Sequence, residues 1–179
     1  MKKIFFILLS LFAVTCTLSL GLTLNTSHGY IANNEQVTLS TLEDYSSDII
    51  YYDDGSYLVI ETFSYTEISL FSLEFEVPGE YTKTGVKTVT MKKDDGSILW
   101  TYTLKTIFII NQGISARAID STYTTSINNG AWSFSDGNAY NISNVGYGKG
   151  TFRHKVLFIT IKTVNIDIDL TCDSSGNIV

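Results

Sequence analysis

The sequence predicts an all-β protein: an antiparallel β-sandwich, immunoglobulin-like in outline, preceded by an N-terminal signal helix. Three observations lead there. Apolar and polar residues alternate with period two along most of the chain, and no segment sustains a helical period. Asp-Gly pairs and Asp/Ser/Gly clusters punctuate the alternating runs, as tight hairpins require. The runs recur at spacings of roughly 8–12 residues, the rhythm of two layers that hide their apolar faces against each other.

The elements follow in chain order. Lys2 and Lys3 precede an apolar run, which thins out before Asn25-Thr26-Ser27-His28-Gly29. This is the layout of a secretory leader, with small residues at Ser27 and Gly29 where a peptidase would cut. Two alternatives stay open. Residues 4–24 are long enough for an uncleaved anchor, since about 20 residues span a bilayer. Cys16 would serve a lipoprotein, although Ala13-Val14-Thr15 lacks the leucine such a site usually has. The expected division is a signal peptide at 1–29, a polar lead-in at 30–48 with one edge strand at 36–39, and a single sandwich domain at 49–179.

Within the body, 57–65 is rich in β-branched and aromatic residues. Phe71, Leu73, Phe75 and Val77 alternate with polar residues. Further strands are expected at 86–92, at 98–110 with Ile98, Trp100, Tyr102 and Leu104 on one face, and at 161–171. Phe108 to Ile110 is apolar on both faces, which predicts a covered central strand. Asp54-Gly55, Asp95-Gly96 and Asp136-Gly137 are read as hairpin turns. Asp173-Ser-Ser-Gly176 closes a last hairpin onto a short terminal strand at 177–179.

Cleavage after Gly29 leaves 10 basic against 18 acidic residues, a formal charge of −8. That balance argues against nucleic acid and other polyanions, which are held by basic patches. Cys16 leaves with the leader, so Cys172 has no intrachain partner. It continues the face of Val164, Ile166, Ile168 and Leu170 and reads as a small buried hydrophobe.

Catalytic chemistry is thin. His154, the one histidine clear of the leader, lies between Arg153 and Lys155, and no Gly-x-Ser-x-Gly elbow occurs. One His and one Cys cannot close a zinc site, and the acidic turns lack the register of a calcium loop. Glu74/Glu76 and Asp167/Asp169 are same-strand neighbours, whereas glycosidase carboxylates face each other across a cleft. The expectation is therefore no catalytic residue, no metal and no cofactor. Aromatic rings are the remaining candidates, because exposed Tyr and Trp bind sugars and protein partners. Tyr51 and Tyr52 point to opposite faces of one strand, and Tyr140 and Tyr147 lie in a Gly/Asn-rich stretch. Tyr52, Tyr140 and Tyr147 are the candidate ligand-binding residues.

Several stretches resemble a group of short exported proteins of Gram-positive, clostridial-type bacteria. They are Lys87-Thr-Val-Thr, Asp95-Gly96-Ser-Ile-Leu-Trp100-Thr-Tyr-Thr-Leu104, Trp132-Ser-Phe-Ser and Gly148-Lys-Gly-Thr-Phe152, then Val156-Leu-Phe-Ile-Thr-Ile-Lys-Thr-Val-Asn and Leu170-Thr-Cys172-Asp-Ser-Ser-Gly176-Asn. The resemblance implies a signal peptide, an all-β body and no assigned activity. It also implies a second cysteine after a Phe-x-x-Asn-Gly-like turn. Here that region reads Asn111-Gln-Gly113-Ile-Ser-Ala-Arg117-Ala, without cysteine, which leaves Cys172 as half of the group's disulfide.

The functional expectation is a secreted or cell-envelope, non-catalytic protein that binds an extracellular protein partner. The alternative is a carbohydrate-binding module on an envelope glycan. A membrane is expected as a partner only if the leader is retained, through residues 4–24.

Overall fold

The computed structural model describes residues 38–69 and 79–179. The expected signal helix, residues 30–37 of the lead-in and the alternating run at 71–77 lie outside the described residues. Eight strands are described: β1 Thr38–Tyr51, β2 Tyr57–Ser69, β3 Glu80–Lys92, β4 Ile98–Asn111, β5 Ser115–Ile127, β6 Trp132–Ile142, β7 Val145–Val156 and β8 Ile159–Thr171. All pair antiparallel, in one sheet of order β1-β2-β3-β4-β5 and another of order β6-β7-β8. The two sheets form the layers of a β-sandwich. Spatial order follows chain order in each, so both are meanders, without the Greek-key connections of immunoglobulin domains.

The core lies between β4 and the three-stranded sheet. Trp100, Tyr102, Leu104, Phe108 and Ile110 of β4 point inward and are fully buried. Facing them are Trp132, Phe152, Val164, Ile166, Leu170 and Cys172. Trp100 stacks on Phe152 with ring centroids 3.8 Å apart, and Tyr102 stacks on Tyr123 at 5.5 Å. On its other face β4 carries Ile107 and Ile109, which are half-buried; the covering expected there is partial.

The inner face of β7 is made of Gly146, Gly148 and Gly150 before Phe152. A Cβ at Gly148 would stand 2.9 Å from Tyr102 Oη, and one at Gly150 2.5 Å from Phe134 Cε2. The missing side chains bring the β7 backbone down onto the β4 aromatics. Tyr102 Oη lies 3.2 Å from the carbonyl of Lys149. Burial, helped by Tyr123, pushes that phenol up to about 12.

Two local readings differ from the sequence expectation. Asp136-Gly137 is a β-bulge inside β6, where the register with β7 shifts between Ser135 and Asn138 and Asp136 takes φ 58°. The extra residue keeps Phe134 opposite Phe152 and Ala139 opposite Gly148, both facing the core. The residues 38–48 of the lead-in belong to β1, an edge strand far longer than expected. Its apolar pattern is broken by a bulge between Leu42 and Tyr45, which hides the alternation from a simple period count. That bulge holds Glu43 and Asp44, both bonded to buried Lys83 of β3 at 2.7 and 3.0 Å. Lys83 Nζ also donates to the carbonyl of Gly176 at 2.8 Å. Burial alone would pull Lys83 down, yet the two carboxylates outweigh it and hold the ammonium above its ordinary range. The terminal hairpin forms as expected: Cys172 bridges Ile178, and Asp173 Oδ1 accepts the amides of Ser175 and Asn177 at 2.8 and 2.9 Å.

Candidate functional site

At one end of the sandwich the β1–β2 turn and the root of the β7–β8 hairpin meet. The link between them is Lys162 of β8. Its Nζ donates to Asp54 Oδ2 at 2.7 Å and to Ser56 Oγ at 3.0 Å. Asp54 is held ready by its own turn, since Ser56 N donates to Oδ1 at 3.1 Å and Ser56 Oγ donates to the same atom. Lys162 and Ser56 pull the Asp54 carboxyl down to about 2. The ammonium also sits 4.2 Å from the Tyr52 ring centroid, a cation–π contact. Tyr52 is therefore half-buried and has its ring engaged by the chain's own lysine.

Beside this link is a cleft of about 370 Å³. Met91, Leu99 and Trp132 line its apolar part, and Asp54, Lys93, Asp94, Asn129, His154 and Lys162 its polar part. His154 is stacked flat on Trp132 at 5.0 Å rather than standing free at the surface. Ser56 and Lys162 are within hydrogen-bond reach, the pairing a serine–lysine nucleophile needs. Here the lysine is ion-paired to Asp54, and the serine hydroxyl donates to the same carboxylate. The arrangement ties the two sheets together at this end. Among the described residues no three His, Cys, Asp or Glu side chains are grouped to hold a metal ion.

Tyr140 and Tyr147 face each other across β6 and β7 on the outer face of the three-stranded sheet. Their rings stack at 5.0 Å with an interplanar angle of 18°. Lys149 is the next outward residue, and its Nζ donates to Asp167 Oδ2 at 3.2 Å. The β6–β7 pairing brings these two candidate tyrosines together, whereas Tyr52 lies at the cleft end of the molecule with Lys162. Trp100 and Trp132 are buried and add nothing to a surface platform.

A further apolar surface begins where the sequence expected a polar lead-in. On the outer face of β1 and β2, Leu42 pairs with Tyr65, Tyr45 with Phe63, Ile49 with Val59 and Tyr51 with Tyr57. Leu42, Tyr45, Ile49 and Tyr51 are all exposed, Tyr51 by 73%. Tyr45 Oη donates to Glu61 Oε1 at 2.9 Å, and Tyr51 and Tyr57 meet at 5.6 Å. Among the described residues β1 has no neighbour on its outer edge. The period-two run of Tyr45, Ile49 and Tyr51 around Ser47 was the signal available, masked by the bulge before it. Comparison with family models, curated proteins and solved structures finds no match to this chain.

Proposed function

We propose that this is an exported, non-catalytic binding protein that engages an extended segment of an extracellular protein along β1. The observation that carries the reading is the coincidence of an apolar row, Leu42, Tyr45, Ile49 and Tyr51, with a strand edge that has no neighbour among the described residues. An edge strand supplies main-chain hydrogen bonds to an added strand, and alternate side chains supply contact area. An exposed apolar edge is otherwise an aggregation liability, normally blunted by lysine, proline or brevity. β1 is 14 residues long and has neither Lys nor Pro, and the acids of its bulge, Glu43 and Asp44, are bonded to Lys83. The immunoglobulin-like outline is retained in this proposal only as a two-layer shape, and the resemblance to small exported proteins is in keeping with it.

The test places a photo-crosslinking phenylalanine analogue at Ile49 in the full chain on producing cells. One discrete polypeptide adduct is expected, lost when Leu42→Lys and Tyr51→Lys charge the strand. No adduct, or one indifferent to those charges, refutes the proposal. The glycan reading rests on Tyr140 and Tyr147, whose rings already spend a face on each other. Saturable binding of envelope glycan that is abolished by Tyr147→Ala would favour it instead.

A further inference from the structure

The β7–β8 hairpin closes with Val156 paired to Ile159, so the loop is the two residues Leu157 and Phe158. Both have left-handed backbones, φ 48° and 71°. A two-residue loop of this hand is the type I′ turn, which asparagine and glycine fill at low cost and bulky residues do not. Strain at such a position points to a role for the side chains it keeps. Here those side chains are exposed by 86% at Leu157 and 99% at Phe158. Val156, Ile159 and Ile161 beside them are exposed as well.

The hairpin also projects. The last row shared with β6 is Trp132 opposite His154, and His154 pairs with Lys162. Beyond that row lie Lys155 with Thr160, Val156 with Ile159, and the turn. Lys155 N still donates to the Ala131 carbonyl at 2.8 Å, so the two rows beyond it, at about 3.3 Å each, carry the tip roughly 7 Å past that bond. Charge changes sign along this segment. The whole chain has 18 acidic against 12 basic residues, yet Arg153, Lys155 and Lys162 flank the tip and no acid falls between them. Arg153 is paired with Asp136 at 3.4 Å and Lys162 with Asp54 at 2.7 Å. Lys155, nearest the tip, forms no ion pair among the described residues. The acids Asp54 and Asp94 line the cleft at the hairpin's root, behind the tip.

We propose that the tip of the β7–β8 hairpin inserts into the surface of a lipid bilayer with anionic headgroups, Leu157 and Phe158 entering the acyl boundary and Lys155 meeting the headgroups. A convex apolar tip with Lys155 at its neck suits a fluid apolar phase, which asks for no shape complementarity. Its reach matches the roughly 5–10 Å depth of interfacial insertion. This surface is separate from β1, so either proposal stands or falls without the other.

The experiment uses the full chain carrying Phe158→Trp, with vesicles of phosphatidylcholine alone or mixed with phosphatidylglycerol. The chain's own Trp100 and Trp132 are buried, so a new indole at the tip reports its own surroundings whatever the leader does. The expected result is a blue-shifted emission with the anionic vesicles and quenching by brominated acyl chains. Lys155→Glu should weaken the response at least threefold. The double variant Leu157→Asn/Phe158→Gly suits the turn better, so it should melt no lower than the parent. With Trp100 and Trp132 left as its indoles, it should show no tip-dependent quenching. No shift with anionic vesicles overturns the proposal. So does a concentration-dependent shift without lipid, which would seat a second copy on the tip.

Discussion

Gly146→Ala tests how closely the two sheets are pressed together. A Cβ at this position would fall on Thr106 Oγ1, with Ser121 Oγ and Thr106 Cγ2 each at 2.6 Å. Non-bonded carbons rest at about 3.5–4.0 Å, so the overlap with Cγ2 approaches 1 Å. Thr106 has little freedom to retreat, being β-branched and fully buried, with its hydroxyl 3.1 Å from that of Ser121. Overpacking of this kind costs roughly 1–3 kcal/mol, and the top of that range applies where the struck atoms cannot turn away. The backbone entropy regained by replacing glycine offsets about 0.5–1 kcal/mol. The net expectation is a loss of about 2 kcal/mol, which for a domain near 140 residues lowers Tm by roughly 8 °C. Thermal and urea unfolding of four chains decides the matter: parent, Gly146→Ala, Thr106→Ala and the double variant. In the Thr106→Ala background the same glycine change should cost about 1 kcal/mol less, because Oγ1 and Cγ2 are gone. Gly130→Ala, with no atom within 4 Å, sets the baseline and should be near neutral. A Gly146→Ala chain within 2 °C of the baseline, or one showing no coupling to Thr106, would refute the tight-layer reasoning.

Three further outcomes follow from the ionisable groups. The Asp54 carboxyl is held at about 2, so its contribution is complete above the ordinary aspartate value and fades as pH falls through about 2. Asp54→Asn should therefore flatten the acid limb of a urea-midpoint profile between about pH 4 and pH 2; an unchanged slope would remove the Lys162 link as a stabilising contact. Lys83→Met should destabilise by about 2 kcal/mol in urea melts, less than the roughly 3–5 kcal/mol of a fully buried pair, because Glu43 and Asp44 can resolvate. Since Lys83 is raised above its ordinary range, the parent's advantage over this variant should hold at neutral pH and shrink only above about pH 10.5. Burial, with Asp173 beside it, pushes the Cys172 thiol up to about 11. Peptide mapping after iodoacetamide at pH 8 should find Cys172 unmodified in native protein and alkylated in urea, whereas native alkylation would contradict its burial.

What could be read in the chain was what local chemistry alone determines. Strand phase on β4 was legible because Trp100, Tyr102 and Leu104 alternate without interruption, and each is buried as that phase demands; Ile98, expected on the same face, is exposed because the register shifts between Trp100 and Ile98. Cys172 was legible for the same reason. Phase failed where a bulge resets it. Glu43 and Asp44 look like part of a polar lead-in until Lys83, 39 residues beyond Asp44, is seen to need their charge. Asp136-Gly137 has the composition of a hairpin turn. It becomes a bulge because Phe134 and Ala139 must both face the core opposite Phe152 and Gly148, a condition set by β7 and invisible locally. Candidate tyrosines divided along the same line. Tyr140 and Tyr147 meet because a short hairpin joins their strands, whereas the fate of Tyr52 was decided by Lys162, 108 residues beyond its salt-bridge partner Asp54. The hairpin tip is the reverse case. Leu157 and Phe158 sit inside the apolar run 156–159, ahead of the strand expected at 161–171, and the pairing of Val156 with Ile159 makes them a turn. A sequence optimised for the turn alone would place small polar residues there. This one keeps two large apolar side chains in left-handed backbone at full exposure, which is the physical reason to look for what the tip enters.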